Sequence, residues 1–437
     1  MPLVANVMTE FWTHNGNYSP YELEPTVAAL RKSGQNIIEA EAFTGDPADS
    51  KWNETPEWLK PIGDAAFCDG VNRMIVHRFV QQAFDDRYKP GATMGRWGTH
   101  LDRTQTWWKP GQAMVEYWQR CQALLQWGKI VLPTAEDFKA TEITDSITIK
   151  NIHRKKEDTD IYFVANTARS KGSATCIFNV SGMQPELWDP VTKEIYKLPQ
   201  FENSNGKTSL LLNFDKAQSF FIVFRAKVIK PLTAAIKNNF RLQKSLLTLT
   251  GSWQVQFDNA WGGPAKPVTF TSLEDWTKNA ATGIKYYSGT SVYKKSFDIP
   301  SGKLATGKPL YLDLGIVKCI AKVALNGKDL AVLWTAPWQI KIPTGLLKNK
   351  NNQLIIEVTN VWANRLIGDE QEPADCEWIP GYISGGWSLK EFPGWFLKKQ
   401  PRLSKGRYCF TTWNYFTKES PLVTSGLLGP VRLMIEE

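Results

Sequence analysis

The sequence has no run of about 18 apolar residues, so no segment reads as a membrane-crossing helix. Its six cysteines, Cys68, Cys121, Cys176, Cys319, Cys376 and Cys409, are widely separated. No CxxC or CxxxC pair occurs, which argues against a cysteine-ligated zinc motif, and the spacing demands no disulfide framework. There are only four histidines. The glycines between Gly91 and Trp97 lack phosphate-loop spacing and read as a tight loop. Neither an internal repeat nor a low-complexity tract is present. The first ten residues have no basic start and no long apolar stretch, so they do not read as a signal peptide. The expectation is a cytoplasmic protein or a start that lies further upstream.

Charge is also undistinguished. A net charge of +9 can mark an anionic partner, but the basic residues are scattered. The densest patches, Arg154-Lys155-Lys156 and Lys348 to Lys350, read as solvated turns. With no basic stripe, a nucleic-acid partner is not expected. Tryptophan is abundant, at 19 residues in 437. Its ring offers a flat apolar face with one N–H donor, which suits sugar rings and equally suits the cores of large β-sandwiches. Both readings stay open.

Along the chain, residues 1–135 alternate strand and helix. An apolar run from Val4 to Met8 ends at Thr9-Glu10, and Glu24 to Ser33 is helix-like and stopped by Gly34. Asn36 to Ala42 reads as a strand, Glu54 to Asp69 as a helix, and Arg73 to Phe79 as a third strand. Gly111 to Trp127 carries Met114, Trp118, Cys121, Leu124 and Leu125 at helical spacing. Strands separated by helices predict parallel βα units. The three strands are expected to end in Glu10, Glu41 and His77, and the C-terminal strand ends are where a (β/α)8 barrel places its site. Three units are too few to close a barrel, so the expectation is its C-terminal part. From residue 136 to 227 short strands with turns between them predict an all-β domain. From 228 to 437 a β-sandwich or jelly roll is expected, with Asn326-Gly327 as a hairpin turn. The predicted fold class is thus multidomain, α/β followed by all-β.

Glu39 and Glu41 flank Ala40 on an apolar strand and so share a face. Paired carboxylates at a barrel mouth are what glycosidic cleavage needs, one as acid and one as base or nucleophile. A salt bridge to Arg73, Arg78 or Arg103 is the structural alternative. His77, His100, Asp102 and Arg103 follow: His100-Leu101-Asp102 can bind a sugar hydroxyl or hold a water, or His100 is a hydrogen-bonded core residue. A zinc site from His77 and His100 lacks a third ligand at standard spacing. Trp97, Trp107 and Trp108 are candidate walls of a sugar pocket.

Several segments resemble a known family in order. They are Ile38-Glu39-Ala40-Glu41-Ala42-Phe43-Thr44-Gly45, Gly70-Val71-Asn72-Arg73 with His77, and Pro90-Gly91 with Met94-Gly95, Trp97-Gly98, His100 and Asp102-Arg103. Thr106-Trp107-Trp108 and Arg120-Cys121-Gln122 complete the set. Together they resemble the C-terminal part of the catalytic barrel of glycoside hydrolase family 106, the α-L-rhamnosidases. Ile161 to Asn166 and Pro185 to Pro190 resemble the following β-domain. Gly251-Ser252-Trp253, Tyr287 to Thr290 with Tyr293, and Leu325-Asn326-Gly327 resemble a galactose-binding-like sandwich.

The resemblance implies an inverting hydrolase releasing terminal rhamnose from plant polysaccharides, with a calcium ion that helps bind the sugar. It implies Glu41 as general base and Glu10 as a metal-holding carboxylate; Glu39, His77, His100, Asp102, Arg103 and Trp107 are the candidate sugar contacts read from the residues themselves. It also implies an exported or periplasmic protein. The general acid belongs to an earlier barrel strand, which the sequence does not contain. The barrel portion is therefore expected to be incomplete, with the missing strands as its natural partner. A non-catalytic carbohydrate-binding protein is the alternative.

Overall fold

The structure is a computed structural model that describes all residues except 1–6, 21–22, 229–237, 303, 305–306, 382–385 and 403. Strand β1, Met8–His14, turns through Gly16 into the short antiparallel β2, Asn17–Ser19. Helix α1, Leu23–Lys32, leads to β3, Glu39–Gly45, and helix α2, Pro56–Asp69, leads to β4, Arg73–Val76. Strands β1, β3 and β4 are parallel neighbours, so the predicted βα units are present, and the sheet order is β2-β1-β3-β4. No closed barrel is formed among the described residues. After a short strand β5, Pro90–Gly91, comes helix α3, Gln112–Gln126.

The boundaries of all three parallel strands need correction. The expected strand from Val4 to Met8 gives way to one from Met8 to His14, and residues 4–6 lie outside the described part. Glu10 and Glu41 thus lie inside their strands, while His77 follows the end of β4. The reason is legible afterwards. Phe11 and Thr13 are buried while Glu10 and Trp12 are only partly so, which is the period-two signature of a half-buried strand.

Helix α2 shows how the chain is built around this sheet. Thr55 caps it by accepting from the Trp58 amide, Pro56 begins it, and Gly70 at φ 118° ends it in the left-handed region. Almost every residue from Pro56 to Cys68 is buried, because both sides of the helix are covered. One side meets the parallel sheet. The other meets a six-stranded antiparallel sheet whose central strands are Thr159–Asn166 and Ser219–Lys227. In these strands Ile161, Phe163, Phe221 and Val223 join the core with α2, while Tyr162, Val164, Ile222 and Phe224 face a second sheet of four strands. Burial on both faces explains their continuous apolar character.

The C-terminal segment forms a further pair of antiparallel sheets, of six and four strands, around Trp253, Tyr293, Val323, Ile356 and Leu433. Asn326 and Gly327 both have positive φ, as a two-residue type I′ hairpin requires, and join Ile320–Leu325 to Lys328–Leu333. Between Ala363–Asp369 and the last strands, residues 370–425 leave the sandwich. They fold back on the first segment: Phe410–Thr411 pairs in parallel with β5. The expected solvated turn at Arg154 is also corrected. Arg154 is buried, and its guanidinium donates to the Trp127 and Gly128 carbonyls at the end of α3 and to Asn36.

Candidate active site

Residues in register on parallel strands project to the same side. Thr9 and Ala40 are buried beneath the sheet, toward the helices. The opposite face carries two rows, Met8–Glu39–Arg73 and Glu10–Glu41–Ile75. Met8 and Ile75 are about half exposed on this face, and Glu10 and Glu41 are partly buried. Glu39 is taken up by an ion pair with Arg73 at 2.6 Å, the structural alternative noted above. Among the described residues, neither Glu10 nor Glu41 forms an ion pair with a cation. They stand side by side on strands spaced about 4.8 Å apart.

A β-bulge lies directly after Glu41. Glu10 pairs with Glu41, but Trp12 pairs with Thr44, so one extra residue sits on β3, and Phe43 there has φ 60°. Positive φ is strained for a bulky residue and here persists because the Phe43 ring is buried, stacked on Trp118 and edge-on to Phe11. The extra residue brings Thr44 to the same side as Glu41, three positions back. The Thr44 hydroxyl donates to Glu41 Oε1 at 2.6 Å and fixes the carboxylate.

Residues 77–103 close over the C-terminal ends of β1 and β3. The Gly98 amide donates to the Gly45 carbonyl at 2.8 Å, and the Thr99 hydroxyl to the Phe43 carbonyl at 3.0 Å. His77 and Thr99 are linked through their backbones at 2.8 Å. Trp97 meets Trp12 edge-on with ring centroids 5.7 Å apart. His77 lies within reach of the charges of both carboxylates. Burial lowers its pKa, the Glu41 charge raises it, Arg78 lowers it and Glu10 raises it, with a net downward shift. The mouth therefore gathers Glu10, Glu41 and His77 beside Trp12 and Trp97.

The other candidates lie behind this surface. His100 is buried and stacked on Trp52 at 3.7 Å, with Glu54 Oε1 2.9 Å from its Nδ1. Asp102 is buried and accepts from the Thr104 amide and hydroxyl and from Gln82. Trp107 is 1% exposed and donates to the Glu54 carbonyl, so it is part of the core and not a pocket wall. Arg103 lies at the outer rim, paired with Asp86 and donating to the Gln82 and Phe84 carbonyls. Sequence reasoning missed Trp12, Thr44 and Glu54. For Trp12 the signal was present, two positions after Glu10 on the same face of its strand, whereas Thr44 reaches the Glu41 side only through the bulge.

Comparison with known proteins places this architecture among glycoside hydrolases. Residues 3–135 and 131–203 match the model of glycoside hydrolase family 106, described as α-L-rhamnosidase, so this part of the chain is similar to that family. A rhamnosidase structure from Novosphingobium sp. PP1Y has the same fold, with a TM-score of 0.82 at 24% identity over 98% of this chain and 51% of that one. A protein of Formosa agariphila, provisionally named a β-glucuronidase, is 22% identical over 98% of this chain and 65% of its own length. The chain thus spans about half the length of the solved rhamnosidase and under two thirds of the Formosa protein.

Proposed function

We propose that this chain carries the base side of an inverting α-L-rhamnosidase site that releases terminal rhamnose from plant polysaccharides. The observation that supports this most is the in-register pair Glu10–Glu41 on the open face of a parallel sheet, in a part of the chain similar to this family. Residues 1–135 are then the C-terminal part of a (β/α)8 barrel. Residues 136–227 are its all-β companion, and residues 228–437 are a galactose-binding-like jelly roll.

In this reading Glu41, oriented by Thr44, takes a proton from a water that attacks the anomeric carbon on the face opposite the leaving group. Inversion requires the general acid roughly 6.5–9.5 Å away, on the far side of the sugar, to give its proton to the leaving oxygen. Glu39 is held by Arg73 and sits one row deeper, so the acid comes from strands outside this sheet. Those strands are the proposed partner of the chain. His77, Glu39 and Arg103 remain candidate sugar contacts, and His100, Asp102 and Trp107 support the mouth from behind.

Calcium takes six to eight oxygen ligands. Among the described residues no group of three or more His, Cys, Asp or Glu side chains could hold a metal. Glu10 offers one carboxylate and Glu41 a neighbouring one, which is too few, so these residues alone do not fit the ion.

Proton NMR of the sugar released from an aryl α-L-rhamnoside tests the reading. Initial formation of β-L-rhamnose is expected. Initial α-L-rhamnose, the product of retention, overturns it.

A further inference from the structure

The loop over the mouth is held by a buried chain of three side chains. Arg78 is buried, and its guanidinium donates to the Trp97 carbonyl, to the Gly95 carbonyl at 3.0 Å and to Thr93 Oγ1 at 2.9 Å. It also donates to His100 Nε2 at 3.0 Å. A guanidinium only donates, so Nε2 must carry the lone pair and the proton must sit on Nδ1. That proton points at Glu54 Oε1, 2.9 Å away. Geometry therefore fixes one neutral tautomer. Trp52 stacks on the imidazole, and Trp107 anchors the Glu54 backbone. The segment that folds back from the sandwich closes the outer end: Tyr415 donates to the Gly95 carbonyl, and the Thr93 amide donates to Thr412 Oγ1 at 3.0 Å.

We infer that Glu54, His100 and Arg78 form a positioning relay that holds the 93–99 loop, and with it Trp97 against Trp12, at the height the proposed sugar site needs. None of the three is a catalytic residue, because each is enclosed. The inference rests on the reading of the Glu10–Glu41 face as a rhamnoside site. It makes the segment that leaves the C-terminal sandwich, through Tyr415, part of the site's framework.

Three variants test it: His100→Gln, which keeps an acceptor toward Arg78, His100→Leu, which does not, and Tyr415→Phe. With 2,4-dinitrophenyl α-L-rhamnoside, His100→Leu should lose about 100-fold in kcat, the scale of a misplaced site, with a smaller change in KM. His100→Gln should recover most of that loss, and Tyr415→Phe should show a small loss in the same parameter. Two readouts are independent of activity. Imidazole ¹⁵N spectra of the native chain should show His100 as the Nδ1–H tautomer. Hydrogen exchange in the 93–100 peptide should rise in His100→Leu and fall back in His100→Gln. An Nε2–H tautomer, or unchanged exchange and kcat in folded His100→Leu, overturns the relay. Failure of the native chain to hydrolyse the substrate or bind L-rhamnose would instead count against the rhamnosidase reading, and the tautomer and exchange would still decide the relay.

Discussion

Glu10 and Glu41 are register partners on adjacent parallel strands, so their carboxylates rise side by side from one open face. Their neighbours differ. Glu41 receives the Thr44 hydroxyl, whereas Glu10 stands next to Trp12 at the mouth. The division of labour that follows is a base held in place and a carboxylate that meets the sugar. Glu10→Gln should therefore weaken L-rhamnose binding by roughly 10-fold, ~1.4 kcal/mol, in calorimetric titrations. Unchanged affinity would remove Glu10 from the site.

Thr44→Val keeps the shape of the bulge and deletes the donor to Glu41. A hydrogen bond to a charged group is worth about 1.5–3 kcal/mol. The expected result is a fall of at least about 10-fold in kcat against an activated rhamnoside, with little change in the melting temperature.

The seam between the parallel segment and the middle β-domain holds a buried charge. Lys60 is enclosed and donates to Asp64 at 2.7 Å, to the Ala217 carbonyl at 2.7 Å and to Ser219 at 2.8 Å, while Tyr117 bonds both Asp64 and Ser219. Lys60→Met leaves Asp64 buried without its cation. The expected cost is about 3–5 kcal/mol in denaturant titration. The double variant Lys60→Met/Asp64→Leu should be less damaged than the single one.

His153 is wedged between Asp137 at 2.8 Å and Asp160 at 2.9 Å, so both ring nitrogens face carboxylates. Burial pulls its pKa down, but hydrogen bonds to and charges of Asp137 and Asp160 prevail and raise it above its ordinary 6.5. A raised histidine contributes its full stabilisation below its unfolded pKa and loses it as pH climbs through the folded value. Asp160 is opposed by burial, yet its bonds to His153 and Lys155 set its pKa below the usual value, and its contribution is lost in acid. Thermal melting should thus show stability falling from mildly acidic toward alkaline pH. His153→Gln should flatten that fall, and an unflattened profile would assign it elsewhere.

Gly98 has φ 79°, and a Cβ there would fall on His77 Nδ1. Gly98→Ala should lift the loop off the mouth and cost about 1–3 kcal/mol in stability, with loss of rhamnose binding as the measured consequence.

Much of this was legible in the residues. The βα alternation, the helical spacing of Met114, Trp118, Cys121 and Leu125, and the Asn326-Gly327 turn all follow from local periodicity and backbone preference. So did the shared face of Glu39 and Glu41. What escaped depends on partners far away in sequence. Glu54 and His100 are 46 residues apart. The segment 370–425 is made of strands only two or three residues long, too short for a period, and its link to β5 spans the chain. Trp107 and Arg154 look exposed by composition, and only the packing of other elements buries them.

The central claim is that Glu41 activates the attacking water, and an activated substrate isolates that step. 2,4-Dinitrophenyl α-L-rhamnoside carries a leaving group that departs without protonation, so its hydrolysis does not wait on a general acid. Rates for the native chain and for Glu41→Gln, each checked for folding by melting, decide the matter. The account predicts turnover by the native chain and a loss of about 10²–10⁴-fold in Glu41→Gln. Turnover by Glu41→Gln at the native rate would contradict it.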